Sequence, residues 1–161
     1  MFEDQVKYSI SNGINGLIPY IDELDGLFDA TSAFDHENHW EIFSKAGKWV
    51  IDLTPSKIGF PFVPVLMDRI PAMYLQSKNC SNYSMVTCGG QSSAPLLYAL
   101  SFASTGISEV EISSSIAALS AGPATRLNID QYIESTENLT SIVSGCSKVK
   151  AILVLNPAEP P

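Results

Sequence analysis

The chain reads as an α/β protein on three observations. LDGLFDATSA (24–33) and KWVIDLTP (48–55) are short apolar runs ending in Asp, Thr, Ser and Pro, the pattern of strands that deliver polar residues to a sheet edge. A stretch of helical spacing lies between them, and strand, helix and strand of this length imply a parallel crossover unit. In NYSMVTCGGQSSAPLLYAL (82–100) a strand-like run meets two glycines that open a helix-like one.

The elements follow in order. Trp40, Phe43 and Ser44 fall at helical spacing in HENHWEIFSKAG, and Lys45 followed by Gly47 marks the helix end. IGFPFVPVL (58–66) carries Gly59, Pro61 and Pro64 and predicts an extended connector. With the poorly patterned stretch to about residue 80, it is the expected boundary between a unit spanning 1–80 and one spanning 81–161. YSMVT (83–87) predicts a third strand, and residues 90–103 a helix with Pro95 in its first turns, where a missing N–H costs little. In EVEISSSIAAL (109–119), Val110, Ile112, Ser114 and Ile116 alternate with Glu109, Glu111, Ser113 and Ser115. That alternation predicts a half-buried strand of an antiparallel or mixed sheet. SAGPATRLN (120–128) reads as a loop. Ile129, Tyr132, Ile133, Leu139, Ile142 and Val143 form a helical stripe that stops at Gly145, and AILVL (151–155) closes as a buried strand.

A length of 161 residues with 45% hydrophobic content suffices for one compact domain or two small lobes sharing a sheet. Apolar runs such as 151–155 are too short to span a bilayer, and MFEDQVKYSI lacks the basic-then-apolar order of a secretory signal. No membrane partner and a cytoplasmic location are expected. A formal charge of −8, with nine Lys and Arg spread along the chain, argues against a nucleic-acid partner, which needs a clustered basic face. Cys80, Cys88 and Cys146 are too scattered for a disulfide framework, no Cys or His pair has zinc-ligand spacing, and no metal is expected.

Cys88 is the first candidate for chemistry. A cysteine between a strand and a helix sits beside unpaired N–H groups and the positive end of the helix dipole, which favour the thiolate. Gly89 and Gly90 let the backbone approach a reacting carbonyl, so that their N–H groups become candidate oxyanion donors, with Thr87 and Gln91 completing the shell. The other reading is a small buried cysteine before a turn. His36 and His39, three apart on the first helix, either face one ligand or lie on a solvated helix start. Asp29, Thr31, Ser32, Asp52 and Thr54 fall at the C-terminal ends of parallel strands, where open α/β sheets bind ligands; they either meet a ligand or cap the following turns. Arg126 and Asn128 in the TRLN loop either orient a substrate or serve as a surface cation and a helix cap. Asn156 is placed to face the same cleft.

FDATSA (28–33), VIDLTPSKIG (50–59), MVTCGGQ (85–91), SAGPATRLNID (120–130) and LNPAEPP (155–161) resemble, in order and spacing, the acylating acetaldehyde dehydrogenases. These are the NAD- and coenzyme A-dependent partners of 4-hydroxy-2-oxovalerate aldolase. The resemblance implies the remnant of a Rossmann-like nucleotide-binding lobe joined to part of an α+β catalytic and dimerisation lobe. It further implies that Cys88 attacks the aldehyde carbonyl, that hydride passes to NAD, and that coenzyme A takes the acyl group. His36 matches a histidine that the family carries after its DATSA-like segment.

The chain departs from the family at both ends. It starts at a point matching the later part of the nucleotide lobe and stops at Pro161, before the family's general-base aspartate. No G-x-G-x-x-G occurs, and NGINGL (12–17) has no buried strand before it. Cysteine-based acyl transfer from coenzyme A or a carrier thioester, without hydride transfer to NAD, is therefore the expected activity. A non-catalytic subunit of an aldolase-type enzyme and a fragment of a full dehydrogenase are the alternatives. A homodimer or an aldolase-like partner is expected, because the strand at 25–29 is left as an open edge.

Overall fold

The computed structural model describes residues 13–104 and 106–157. After a short helix α1 (Gly13–Leu17) and a 3-10 segment (Ile18–Glu23), the chain alternates strands and helices: β1 (Gly26–Asp29), α2 (Ala33–Lys45) and β2 (Trp49–Asp52). There follow β3 (Phe60–Pro61), α3 (Pro64–Met67), α4 (Pro71–Ser77), β4 (Asn82–Ser84) and α5 (Cys88–Ala103). The chain continues with β5 (Val110–Ala117), α6 (Pro123–Leu127), α7 (Ile129–Ser144) and β6 (Val149–Asn156).

Two parallel sheets result. The first has the order β1-β2-β4-β3, with Gly26 opposite Trp49, Val50 opposite Asn82, and Phe60 opposite Tyr83. The second pairs β5 with β6 from Val110 opposite Val149 to Ala117 opposite Asn156. The architecture is thus α/β, as expected. Among the described residues β1 is an edge strand, and its Phe28 is 63% exposed, with its ring edge-on to Trp49.

Several expectations need correction. β5 is parallel to its partner, not antiparallel or mixed: α6 and α7 form the crossover between β5 and β6, while Glu111, Ser113 and Ser115 on the other face of β5 stay exposed. Alternation reports that one face is uncovered and is silent on strand direction. The 58–66 connector contains a two-residue strand, because Phe60 and Pro61 lie alongside β4 and the Phe62 N–H reaches the Ser84 carbonyl at 2.8 Å. Two short helices, each opened by a proline at its first or second position, fill the stretch before residue 80. The 80/81 boundary falls just before β4, which is hydrogen-bonded into the first sheet. Helix α5 starts at Cys88, so Pro95 lies inside it and leaves the Gln91 carbonyl without its usual intrahelical donor.

Local signals explain the helix ends. Ser32 caps α2 by accepting the Asp35 N–H at 3.1 Å, and Thr87 caps α5 by accepting the Gly90 N–H at 2.9 Å. Gly145 ends α7 in the left-handed conformation, φ 69°, as its position predicts.

The apolar core lies between α3, α5 and α7: Val63, Leu66, Val86, Ala94, Leu97, Leu139 and Val143 are buried together. The stripe on α7 is turned slightly from the one the apolar residues predict. Ser135, Thr136 and Thr140 are buried beside Tyr132, Leu139 and Val143, whereas Ile142 is 45% exposed. Leu139→Ala should therefore cost about 3 kcal/mol and Ile142→Ala less than about 0.5 kcal/mol in urea unfolding with unchanged m-values. Equal losses would mean that α7 presents a different face.

Candidate functional site

The peptide between β4 and α5 is strained. Val86, a β-branched residue, holds φ at 60°, a backbone region that such side chains rarely enter. Its N–H donates to Ser84 Oγ at 3.1 Å, and its side chain is buried in the core. Strain of this kind persists only where the surroundings enforce it, and it collects at functional sites. Two residues on, Cys88 is exposed as the first residue of α5, whereas Cys80 is half-buried and Cys146 buried.

Helix α7 locks this junction in place. The Gly89 N–H donates to the Tyr132 hydroxyl at 3.1 Å. The Gly90 N–H donates to Thr87 Oγ1, which lies 2.7 Å from Thr136 Oγ1. The Thr136 hydroxyl in turn donates to the Tyr132 carbonyl at 2.7 Å, so Thr87 is the donor in the bond between the two threonines. Glycine is required at 89: a Cβ there would lie 2.2 Å from the Tyr132 hydroxyl and 2.5 Å from Ser114 Oγ.

Cys88 opens onto a cavity of about 360 Å³ between the carboxyl ends of the first sheet's strands and the start of α7. Thr31 and Thr54 line it from beyond β1 and β2, with Leu53 and Val86. Ile116, Ser120, Thr125, Asn128 and Tyr132 close the other side. Of the residues singled out in the sequence, the structure thus brings together Cys88, Thr87, Asn128, Thr31 and Thr54.

Others are placed differently. The Gly89 and Gly90 N–H groups, expected to meet an oxyanion, are already bonded to Tyr132 and Thr87. The Gln91 amide, expected beside the sulfur, donates to the carbonyls of Phe62 and Met85 at 2.7 and 2.9 Å and holds the connector instead. Arg126 donates to the carbonyls of Ala121 and Ala118 and braces its own loop. Asn128 precedes α7 but makes no side-chain cap; it is 1% exposed and turned to the cavity. Asn156 lies at the end of β6 opposite Ala117, next to the cavity-lining Ile116 but outside the lining. Ser32 caps α2 and hydrogen-bonds the Asp35 carboxylate.

The two histidines are not on a solvated helix start. Both are buried against Asp29, whose Oδ2 accepts from His36 Nδ1 at 3.0 Å and His39 Nδ1 at 2.8 Å. Asp29 Oδ1 takes the Thr31 N–H and hydroxyl at 3.1 and 2.6 Å, so this carboxylate has a donor on every side. His36 Nε2 lies 3.1 Å from Asn82 Nδ2 and 3.5 Å from Asp52 Oδ2. Asp52 holds the Thr54 N–H and the Ser56 hydroxyl. The strand-end acids thus act as turn caps, and the threonines they hold form one wall of the cavity. Among the described residues, no cluster of three or more His, Cys, Asp or Glu is placed to hold a metal ion, and no helix is long and apolar enough to cross a membrane.

A family model described as prokaryotic acetaldehyde dehydrogenase, dimerisation, matches residues 88–161, starting at Cys88 itself. The chain is 46% identical over 153 residues to acetaldehyde dehydrogenase 1 of Burkholderia lata, covering 94% of this chain and 46% of that protein. It is 50% identical over 140 residues to the acetaldehyde dehydrogenase of Spirochaeta aurantia, covering 86% and 45%. The chain is a relative of the acetaldehyde dehydrogenases. It spans about half the length of the curated relatives it matches.

The motifs of the sequence single out Cys88 but not much of the cavity wall around it. Leu53, Val86, Ile116, Ser120, Thr125 and Tyr132 all line it. Tyr132 was visible only as part of an apolar stripe; the paired glycines after Cys88 were the one signal that some other group must approach the helix start.

The buried acids titrate in opposite directions. Burial raises the Asp29 carboxyl, but hydrogen bonds from His36, Thr31 and His39 outweigh it and hold the group well below the usual carboxylate range. Asp52 is pushed up by burial, only partly offset by Thr54, His36 and Ser56. Ionised Asp29 therefore stabilises the fold above its unfolded pKa of about 3.9, and that contribution fades as pH falls toward the folded value. Asp52 contributes most below that unfolded pKa and loses its contribution as pH rises through its higher folded value. Asp29→Asn should cost about 2 kcal/mol or more at pH 7, through donors left unpaired, and flatten the acid limb of stability between about pH 5 and 2. Urea midpoints measured across that range for Asp29→Asn and Asp52→Asn check this; an acid limb unchanged in Asp29→Asn would refute the assignment.

Proposed function

We propose that the chain carries the acyl-thioester half of acetaldehyde dehydrogenase chemistry, with Cys88 as the nucleophile. The observation that supports this most is the placement of the exposed Cys88 sulfur at the first position of α5, against a cavity and two residues after the strained Val86. The Cys88 N–H has no acceptor among the described residues and is free to meet a carbonyl oxygen. The bonds already made by Gly89 and Gly90 hold the junction still, which is what pre-organisation at a reaction centre requires.

The step is a thioester exchange. Cys88 Sγ, as its thiolate, attacks the carbonyl carbon of an acyl-coenzyme A or carrier thioester; an S–C bond forms and the C=O π pair moves onto oxygen. Collapse re-forms the C=O, breaks the bond to the donor's sulfur, and releases a thiolate that takes up the proton Cys88 gave up. The acyl group then rests on Cys88, and an incoming thiol removes it by the reverse sequence. Leu53, Val86 and Ile116 give the acyl chain an apolar wall.

Oxidation of acetaldehyde itself, the activity in the relatives' names, requires a hydride acceptor such as NAD. The parallel first sheet suits a remnant of a Rossmann-like lobe, with Thr31 and Thr54 at the strand ends where nucleotides bind in such sheets. The described residues do not fit a dinucleotide's pyrophosphate, however. The N-terminus of α2 is already capped by Ser32 and carries Asp35 in its first turn, a charge that repels phosphate. The thioester half stands without that group.

A second reading, a non-catalytic subunit of an aldolase-type enzyme, is favoured by the exposed apolar edge of Phe28 and Trp49. Homodimerisation is supported by the match to a dimerisation model over 88–161, within which Leu96 and Leu100 stand exposed one turn apart on α5.

Intact-protein mass spectrometry after incubation with acetyl-coenzyme A and longer acyl-coenzymes A tests the proposal. One acyl mass should be gained by the wild type and by Cys146→Ser, and should fall to background in Cys88→Ser. Equal loss in both variants would sink the assignment to Cys88. No adduct on folded wild type would favour the subunit reading.

A further inference from the structure

We propose that the Tyr132 hydroxyl is a catalytic hydrogen-bond donor, meeting the carbonyl oxygen of the acyl group as it forms its bond to Cys88. This inference rests on the acyl-thioester reading of Cys88. Tyr132 is 7% exposed and lines the Cys88 cavity. Its hydroxyl oxygen accepts the Gly89 N–H at 3.1 Å, and Gly89 N is bonded to the carbonyl carbon of Cys88, so the hydroxyl lies beside the nucleophile's own backbone.

A phenol has one proton to donate, and no group among the described residues accepts this one. A polar group so deeply buried keeps an unused donor at a cost unless something enters the cavity to accept it. The N–H that donates into the hydroxyl oxygen also strengthens the hydroxyl as a donor, because hydrogen bonds in a chain polarise one another. Tyr132 thereby passes the positive character of the α5 N-terminus into the cavity, in place of the Gly89 N–H that it occupies. The missing side chain at Gly89 is what permits this, since a Cβ would occupy the hydroxyl's position. As Cys88 Sγ bonds to the carbonyl carbon, the oxygen gains the C=O π pair and would be held by the Cys88 N–H and the Tyr132 O–H; collapse returns the pair and expels the donor thiolate.

Anchoring of α7 to α5 is the competing role for the hydroxyl, and two reactions of the same sulfur separate them. Acylation by acetyl-coenzyme A passes through an oxyanion, whereas alkylation by iodoacetamide does not. On the full chain, Tyr132→Phe should slow acylation of Cys88 about 100-fold while leaving its alkylation rate and the pH dependence of alkylation unchanged. Equal slowing of both reactions, or of neither, would overturn the proposal. Absence of acylation in the wild type would instead overturn the proposed function, and this inference with it. If Tyr132→Phe loses the fold, a fluorinated tyrosine at position 132 replaces it, keeping the hydroxyl but making it more acidic. The alkaline limb of the acylation rate should then move to lower pH while that of alkylation stays; an unmoved acylation limb overturns the proposal.

Discussion

The contact between the first turns of α7 and the start of α5 is the constraint on which the rest depends. It joins residues 43 and 49 positions apart in the chain, through Gly89 to Tyr132 and Thr87 to Thr136. Apart from the Tyr132 hydroxyl proton, each donor in that set is used once: the Gly89 N–H enters the Tyr132 hydroxyl, the Gly90 N–H enters Thr87, the Thr87 hydroxyl enters Thr136, and the Thr136 hydroxyl enters the Tyr132 carbonyl. A buried polar chain with its backbone N–H groups and threonine hydroxyls paired is rigid, because any displacement leaves a group unpaired in a low dielectric. Leu139 and Val143, further along α7, add apolar packing against Ala94 and Leu97 of α5. Together these contacts hold the first turn of α5, on which Cys88 stands, next to the strained Val86.

A second buried polar set supports the opposite wall of the cavity. Asp29 gathers His36, His39 and Thr31, while Asp52 gathers Thr54 and Ser56 and lies near His36. Buried charged groups of this kind often add little net stability over apolar packing; what these bonds do here is tie Thr31, Thr54 and Ser56 to the ends of β1 and β2. The two sets differ in character. That around Cys88 consists of neutral hydroxyls and amides, and that beneath the sheet ends carries titratable groups, so acid removes the contribution of Asp29 and retains that of Asp52.

Much of the fold was legible in the sequence. The strand–helix–strand order of 26–52, the junction at Cys88, the half-buried strand at 110–117 and the Gly145 stop all rest on near-neighbour patterns: residue type, period and caps. The misreadings share one cause. The β5 direction and the strand at Phe60–Pro61 are set by segments distant in the chain, and His36 and His39 are buried because α2 folds back on Asp29 at the end of β1, a placement that residue type and period do not encode.

By itself, then, the sequence determined the chemistry available and its local frame: a cysteine followed by two glycines at a helix start, in a chain related to the acetaldehyde dehydrogenases. Only the tertiary structure decided which groups surround that sulfur. Gly89 and Gly90 proved to be holding points, Gln91 and Arg126 loop braces, and Tyr132 and Asn128 part of the polar lining. The physical reason is satisfaction of buried donors. A glycine N–H at a helix start is equally suited to an oxyanion and to a neighbouring hydroxyl, and the packing of α7 against α5 settles which one it meets.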